Sequence, residues 1–187
     1  IIEIGAVKIK DGKITERFSE FVNPQIPIPI KIEKLTSIND GMVANADTID
    51  KVLPRFLNFI GDAAVVAHNA EFDVSFIADN AERLGHKIDF TVLDTVLIAQ
   101  YLMPGLKNFK LDTLVKHLGV VLNNHHRAVD DAEATSHIFL KLIDMLNERD
   151  IFTLDDLLKK GKIGPEALRK LHPYHAVLLA TSIEGKN

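Results

Sequence analysis

Apolar and polar positions alternate with a period near two at the start of the chain and with a helical period over most of the remainder. Ile1-Ile-Glu-Ile-Gly-Ala-Val-Lys-Ile9 reads as a strand, Asp11-Gly12 as a hairpin turn, and Lys13 to Val22 as a second arm ended by Asn23-Pro24. Two prolines remove donors from Ile26-Pro-Ile-Pro-Ile30, so this stretch is predicted to be an extended connector. Lys31 to Val43 is expected to make one or two helical turns broken at Thr36, Ser37 and Asn39. Ile49, Val52, Leu53, Phe56, Leu57 and Ile60 then mark one apolar stripe of a helix stopped by Gly61, with Pro54 implying a late start or a kink. Ala63 to Ala67 is apolar throughout, as suits a strand buried on both faces. A helix follows, with Asn69 as its expected N-cap and Phe72, Phe76, Ile77, Ala81 and Leu84 on its buried side. Ile88 to Leu93 reads as a strand, Thr95 to Met103 as a helix stopped by Pro104-Gly105, and Leu111 to Leu118 as a short helix closed by Gly119. The last long stripe runs through Ala128, Ala132, Thr135, Ile138, Phe139, Leu142 and Leu146. Strands alternating with helices after an opening hairpin predict an α/β three-layer domain with a mixed central sheet.

Two aspartates break these patterns. Asp131 falls on the apolar stripe of the last helix, and its neighbour Asp130 turns toward the rim. A carboxylate taken out of water needs a cation or a tight set of donors, so an inward Asp predicts one of these beside it. Backbone amides and Arg127 could satisfy it without any function. Asp73 lies on the buried side of its own helix in the same way. Each of the two helices follows a polar loop containing histidine: His126 before one and His68-Asn69 before the other. Two inward carboxylates in matching settings point to a shared metal or substrate site. Asp94 and Asp112 precede helix-like runs and are expected to act as caps.

Composition limits the functions that fit. The chain has 187 residues, of which 47% are hydrophobic, which suffices for one domain with a core of its own and leaves room for an appended fragment. Twenty-two Lys and Arg against 26 Asp and Glu give a formal charge of −4, which argues against a protein that coats long nucleic acid through a basic surface. An enzyme that grips a few nucleotides at a cation centre remains compatible. The absence of cysteine removes disulfides, thiolate metal sites and cysteine nucleophiles, and suits a cytoplasmic location. No apolar run approaches the roughly 20 residues of a membrane span, so no membrane partner is expected.

His68-Asn-Ala-Glu-Phe-Asp73-Val-Ser-Phe and His126-Arg-Ala-Val-Asp-Asp131-Ala-Glu-Ala-Thr resemble the second and third motifs of the DEDDh (DnaQ-like) 3′→5′ exonucleases. Ile1-Ile-Glu-Ile-Gly-Ala-Val resembles the strand that follows their first motif. The His-His-Arg-Ala-Val-Asp-Asp-Ala form is most similar to the exonuclease domains of PolC-type replicative polymerases. The resemblance spans about residues 1 to 147 and implies a ribonuclease H-like fold that removes nucleoside monophosphates from a DNA 3′ end, using two divalent ions, Mg²⁺ or Mn²⁺. It implies that Asp131 and Asp73 are metal ligands and that His126, with an unperturbed pKa of about 6.5, is the base toward the attacking water. His68, Asn69 and Phe72 would shape the pocket for the terminal nucleotide, as would Thr36, although the small residue usual after it is Ser37 here. His125 would be a rim residue. The implied partners are a single-stranded DNA 3′ end and the polymerase domains of the same chain.

The first motif of that family, a strand bearing an Asp and a Glu two residues apart, is absent from the sequence, and the resemblance places Glu3 on the next strand, where it implies a structural role or one supporting the metal ligands. The missing strand would lie between the opening hairpin and Ala63 to Ala67, where two edges would otherwise face each other unpaired. An Asp and a Glu are therefore expected upstream of Ile1. Residues 148 to 187 read as a C-terminal extension. In it Thr153-Leu-Asp-Asp156 resembles a capping box, and 172 to 187 resembles the start of a phosphoesterase-like neighbouring domain. His172 and His175 lack carboxylate company and are weak metal candidates. Three functions fit the sequence: a proofreading DNA exonuclease domain, a relative acting on RNA 3′ ends, and a catalytically silent nucleic-acid-binding or scaffold domain.

Overall fold

The computed structural model describes residues 1–121, 127–153 and 155–157, together with the backbone of the strand at 175–181. The opening hairpin forms as its pattern requires. Strands β1 (Glu3–Lys10) and β2 (Lys13–Phe21) pair antiparallel, with Lys10 opposite Lys13. Asp11 and Gly12 both have positive φ, 52° and 74°, the combination that matches turn twist to strand twist in a two-residue loop. A register shift follows Lys8, where Thr15 is accommodated as an extra residue and its hydroxyl donates to Lys8 O at 3.3 Å.

Beyond the proline connector come two short helices, α1 (Ile30–Thr36) and α2 (Asp40–Val43). Ser37 separates them in a left-handed conformation, φ 59°, while Asn39 caps α2 by accepting from Met42 N at 3.0 Å. Helix α3 (Ile49–Ile60) starts on time and continues through Pro54. After it come β3 (Ala64–Ala67), α4 (Ala70–Arg83), β4 (Val92–Asp94), α5 (Thr95–Leu102), α6 (Leu111–His117) and α7 (Ala128–Asn147). Strand β4 is shorter than the apolar run predicts. Ile88 and Phe90 pack against the core from outside the ladder, and Thr91 O accepts from Val65 N at 2.7 Å just before pairing begins. Asp112 is not a cap: it lies inside the first turn of α6, whose approach is fixed by Asn108 Oδ1 accepting from Lys110 N and Thr113 Oγ1. The capping box at the tail forms, with Asp156 N donating to Thr153 Oγ1 and Thr153 N donating back to Asp156 Oδ2, both at 3.1 Å.

The sheet has the order β2-β1-β5-β3-β4, where β5 is His175–Thr181. This corrects the expectation of two unpaired edges. Strand β5 runs antiparallel to β1, from Ile4 opposite Thr181 to Lys10 opposite His175, and parallel to β3, with Ala67 opposite Leu179. Backbone groups on both flanks are thus satisfied from within the chain. The two faces carry separate cores. Ile4, Ala6, Val65 and Ala67 pack with α3 and α4, whereas Val7, Ile9, Val66 and Leu93 pack with α5, α6 and α7. The period-two alternation of β1 and β3 therefore builds a three-layer α/β sandwich.

Candidate active site

Strand directions gather four chain ends along one edge of the sheet. The start of β1 and the ends of β3, β4 and β5 meet there, since Ile4 pairs with Thr181 and Ala67 lies opposite both Leu179 and Asp94. Helices α4 and α7 begin at this edge on opposite faces. Ligand sites in α/β sheets commonly form at such an edge, outside the carboxyl ends of the parallel strands.

The chain leaves β3 through His68 and Asn69 and enters α4 at once. Asn69 adopts a left-handed conformation, φ 64° and ψ 59°, which Asn tolerates better than most residues. Its side chain makes no capping bond, contrary to the expectation from sequence. Asp94 supplies the cap instead, accepting from Asn69 N at 3.1 Å and Ala70 N at 3.0 Å while also accepting from Val96 N at 2.8 Å. One carboxylate thus closes the N-terminal ends of both α4 and α5. Burial pushes its pKa above the ordinary carboxylate value, with the amide donors pulling the other way.

His68 Nδ1 lies 2.9 Å from Thr95 Oγ1, and that hydroxyl donates to Ala67 O at 3.4 Å. The ring is thereby fixed at the end of β3. Phe72 and Phe76 meet edge to face on α4, with centroids 5.3 Å apart, and both are half-buried. Asp73 is fully buried in the first turn of the same helix, where the helix dipole favours negative charge.

Helix α7 is seated from the other face by β1. Glu3 is fully buried, and its Oε1 accepts from Arg127 Nε at 2.8 Å and Nη2 at 2.6 Å, while Oε2 accepts from Ala128 N at 2.9 Å. The guanidinium also stacks over Phe21, 4.7 Å from the ring centroid. Gly5, two residues along the strand, lies directly beneath Ala128 and Val129. The sequence implies a supporting role for Glu3 without naming its partner and leaves Gly5 unassigned, although a Gly within a β-branched strand marks close backbone approach. Asp131 follows one turn into α7, its amide donating to Arg127 O at 3.1 Å and its carbonyl accepting from Thr135 Oγ1 at 2.8 Å. It is half-buried and not fully core-facing, whereas Ala128 before it and Ala132 after it on the stripe are buried.

The structure brings His68, Asn69, Phe72, Asp73 and Asp131 to this edge. Thr36 is committed elsewhere: its buried hydroxyl donates to Ile32 O at 2.8 Å and accepts from Ile38 N at 3.2 Å, which ends α1. His125, His126 and His172 lie outside the described residues, and His175 opens β5. Among the described residues no three His, Asp or Glu side chains come together as a cation site. The sequence of β5, His-Ala-Val-Leu-Leu-Ala-Thr, offers no carboxylate where it passes between the two helices. Asp73 and Asp131 are hard oxygen donors that suit Mg²⁺ or Mn²⁺, but they provide part of a ligand set and not a whole one.

The exonuclease family model RNase_T matches residues 1–139. The chain belongs to the exonuclease family. Among curated relatives of this exonuclease-family chain, DNA polymerase III PolC-type of Clostridium perfringens is 47% identical over 189 residues, covering 99% of the chain and 13% of the relative. The corresponding protein of Halalkalibacterium halodurans is 40% identical over 186 residues with the same coverage. The chain therefore spans about an eighth of the length of the relatives it matches. Among solved structures, Exonuclease X in complex with 5′ overhanging duplex DNA superposes with a TM-score of 0.66 at 27% identity, covering 86% of this chain and 90% of that one. The nuclease domain of 3′hExo, a DEDDh family member bound to rAMP, gives a TM-score of 0.65 at 17% identity, with 77% and 82% covered, and supports the fold. The architecture is ribonuclease H-like, as the sequence motifs imply. No helix of the described residues is long and apolar enough to cross a membrane.

Proposed function

We propose that the chain is the metal-dependent 3′→5′ exonuclease domain of a replicative DNA polymerase, releasing nucleoside monophosphates from a single-stranded DNA 3′ end in the cytoplasm. One observation carries this reading: two acidic residues, Asp73 and Asp131, reach one sheet edge from opposite faces in a chain that belongs to the exonuclease family. The similarity to PolC-type polymerases supports DNA as substrate and polymerase domains as covalent neighbours.

Asp73 and Asp131 are the residues of this chain that would hold divalent ions. Bound Mg²⁺ or Mn²⁺ would supply charge stabilisation to the phosphoryl group. His126 takes a proton from the water that attacks the terminal phosphodiester, a role matched by the imidazole pKa range. His68, its ring fixed through Thr95, and the half-buried faces of Phe72 border the space for the terminal nucleotide. Asn69 gives the backbone turn that places them.

The absence of any carboxylate on β5 favours a second reading, a silent nucleic-acid-binding domain. Digestion of 5′-labelled single-stranded DNA and RNA in Mn²⁺, with EDTA and Asp131→Ala as controls, separates the readings. A DNA ladder shortening from the 3′ end and lost in both controls is the expected result; preferential RNA shortening would reassign the substrate. Binding without cleavage in Mn²⁺ would overturn the nuclease reading in favour of the silent domain.

A further inference from the structure

We propose that Glu3 is a positioning residue of this site, acting through Arg127 and the first turn of α7, an inference that rests on the nuclease reading above. Glu3 is an ionisable group inside a strand whose other side chains up to Val7 are apolar or absent, and it is fully buried. Its two oxygens divide their work: Oε1 accepts the Arg127 fork and Oε2 accepts the Ala128 amide. Arg127 occupies the N-cap position of α7 in an extended conformation, φ −111° and ψ 139°, with no side-chain cap of its own. The cap therefore comes from a residue 124 positions away.

A local Ser or Asp would satisfy the helix amide equally well, but it would leave the helix free to slide on the sheet. A carboxylate in β1 does both jobs. It holds the amide and, through the bidentate fork and the Phe21 stack, fixes the side chain of the residue that immediately follows His126. Arg127 O then accepts from Asp130 N at 3.0 Å and Asp131 N at 3.1 Å, so the same anchor sets the turn that carries Asp131. Gly5 leaves out a Cβ that would hold this turn away from the strand. Glu3 thus sets where Asp131 stands, without touching substrate itself.

The test uses Glu3→Gln, which keeps the shape but places an NH₂ against donors, and Arg127→Lys, which keeps the charge but loses the fork. Amide hydrogen exchange and steady-state digestion of labelled DNA are measured on each variant and on the double variant. Glu3→Gln should speed exchange at Ala128 and Asp131 at least tenfold while leaving Ile138 unchanged. It should lower kcat at least tenfold with KM within twofold, the signature of an interaction used in the transition state. Arg127→Lys should act in the same direction, and the double variant should be no worse than Glu3→Gln. Normal kcat per folded molecule, or faster exchange spread evenly along α7, would overturn the proposal by reducing Glu3 to general fold stability. If the unaltered chain does not digest DNA, the nuclease reading fails, and the exchange contrast still decides the anchor: selective loss at Ala128 and Asp131 upholds it and no change refutes it.

Discussion

Gly5→Ala adds one methyl group at the place where α7 rests directly on β1. A Cβ built there lies 2.7 Å from Ala128 Cβ and closer still to Val129 N and Ala128 C. Ordinary contact begins near 3.4 Å, so the side-chain approach alone falls short by about 0.7 Å and the backbone approaches by more. No rotamer change relieves this, because two of the three obstructing atoms belong to the helix backbone. Overpacking of this kind costs about 3 kcal/mol, at the upper end of the usual range. The reduced backbone freedom of Ala in a strand returns only about 0.5–1 kcal/mol, so the clash wins. The net loss of about 2 kcal/mol corresponds to a fall of about 4–8 °C in Tm for a domain of this size. Moving the first turn of α7 also moves Asp131, by several times the roughly 0.2 Å tolerance of a metal–ligand distance. Nuclease activity is expected to fall between about tenfold and a hundredfold. Thermal unfolding followed by circular dichroism, beside the Mn²⁺ digestion assay, measures both effects. Gly12→Ala is the control, since it strains a positive φ of 74° in open space and should leave activity intact. A Gly5→Ala protein with unchanged Tm and full activity would refute the packing of α7 on β1.

Asp94→Ala removes the cap of two helices at once and should cost about 2 kcal/mol, at about 1 kcal/mol per cap, read from urea unfolding. Because burial raises the Asp94 pKa in the folded state, the native chain holds that proton more tightly than the unfolded chain does. Stability should therefore decline as pH rises from 3.8 through the raised value, and Asp94→Asn should remove that part of the slope. Ser37→Gly should stabilise the chain by about 1 kcal/mol, since Ser37 has a φ of 59°; a loss of stability would show that its side chain contributes something the contacts do not reveal. The Arg55 guanidinium, helped by Lys51, holds the Asp47 carboxyl below its ordinary 3.8. A lowered folded pKa means that the pair stabilises above the ordinary value and that its contribution is lost as pH falls through the lowered one. Carbon NMR titration should place the Asp47 midpoint under 3.8 and return it toward 3.8 in Arg55→Gln.

The sequence alone determined what local periodicity and local sterics decide. The Asp11-Gly12 hairpin, the full apolar stripe of α7, the inward position of Asp73 and the capping box at Thr153 all depend on residues a few positions apart, whose geometry is nearly the same in any fold. The two exonuclease motifs were legible for the same reason, each being a short stretch that carries its own chemistry. Tertiary structure alone decided which surfaces meet. An apolar run such as His175 to Thr181 suits any slot buried on both faces, and only the pairing of backbone groups assigns it to the gap between β1 and β3. The Asn69 cap went to Asp94 because a carboxylate presented from a neighbouring strand reaches the helix amides that a left-handed Asn turns away from. Asp131 is half-exposed although Ala128 and Ala132 on the same stripe are buried, a distinction that periodicity does not record. Glu3 and Arg127 stand 124 residues apart, and what joins them is the seating of α7 on Gly5, a consequence of packing that no local pattern contains.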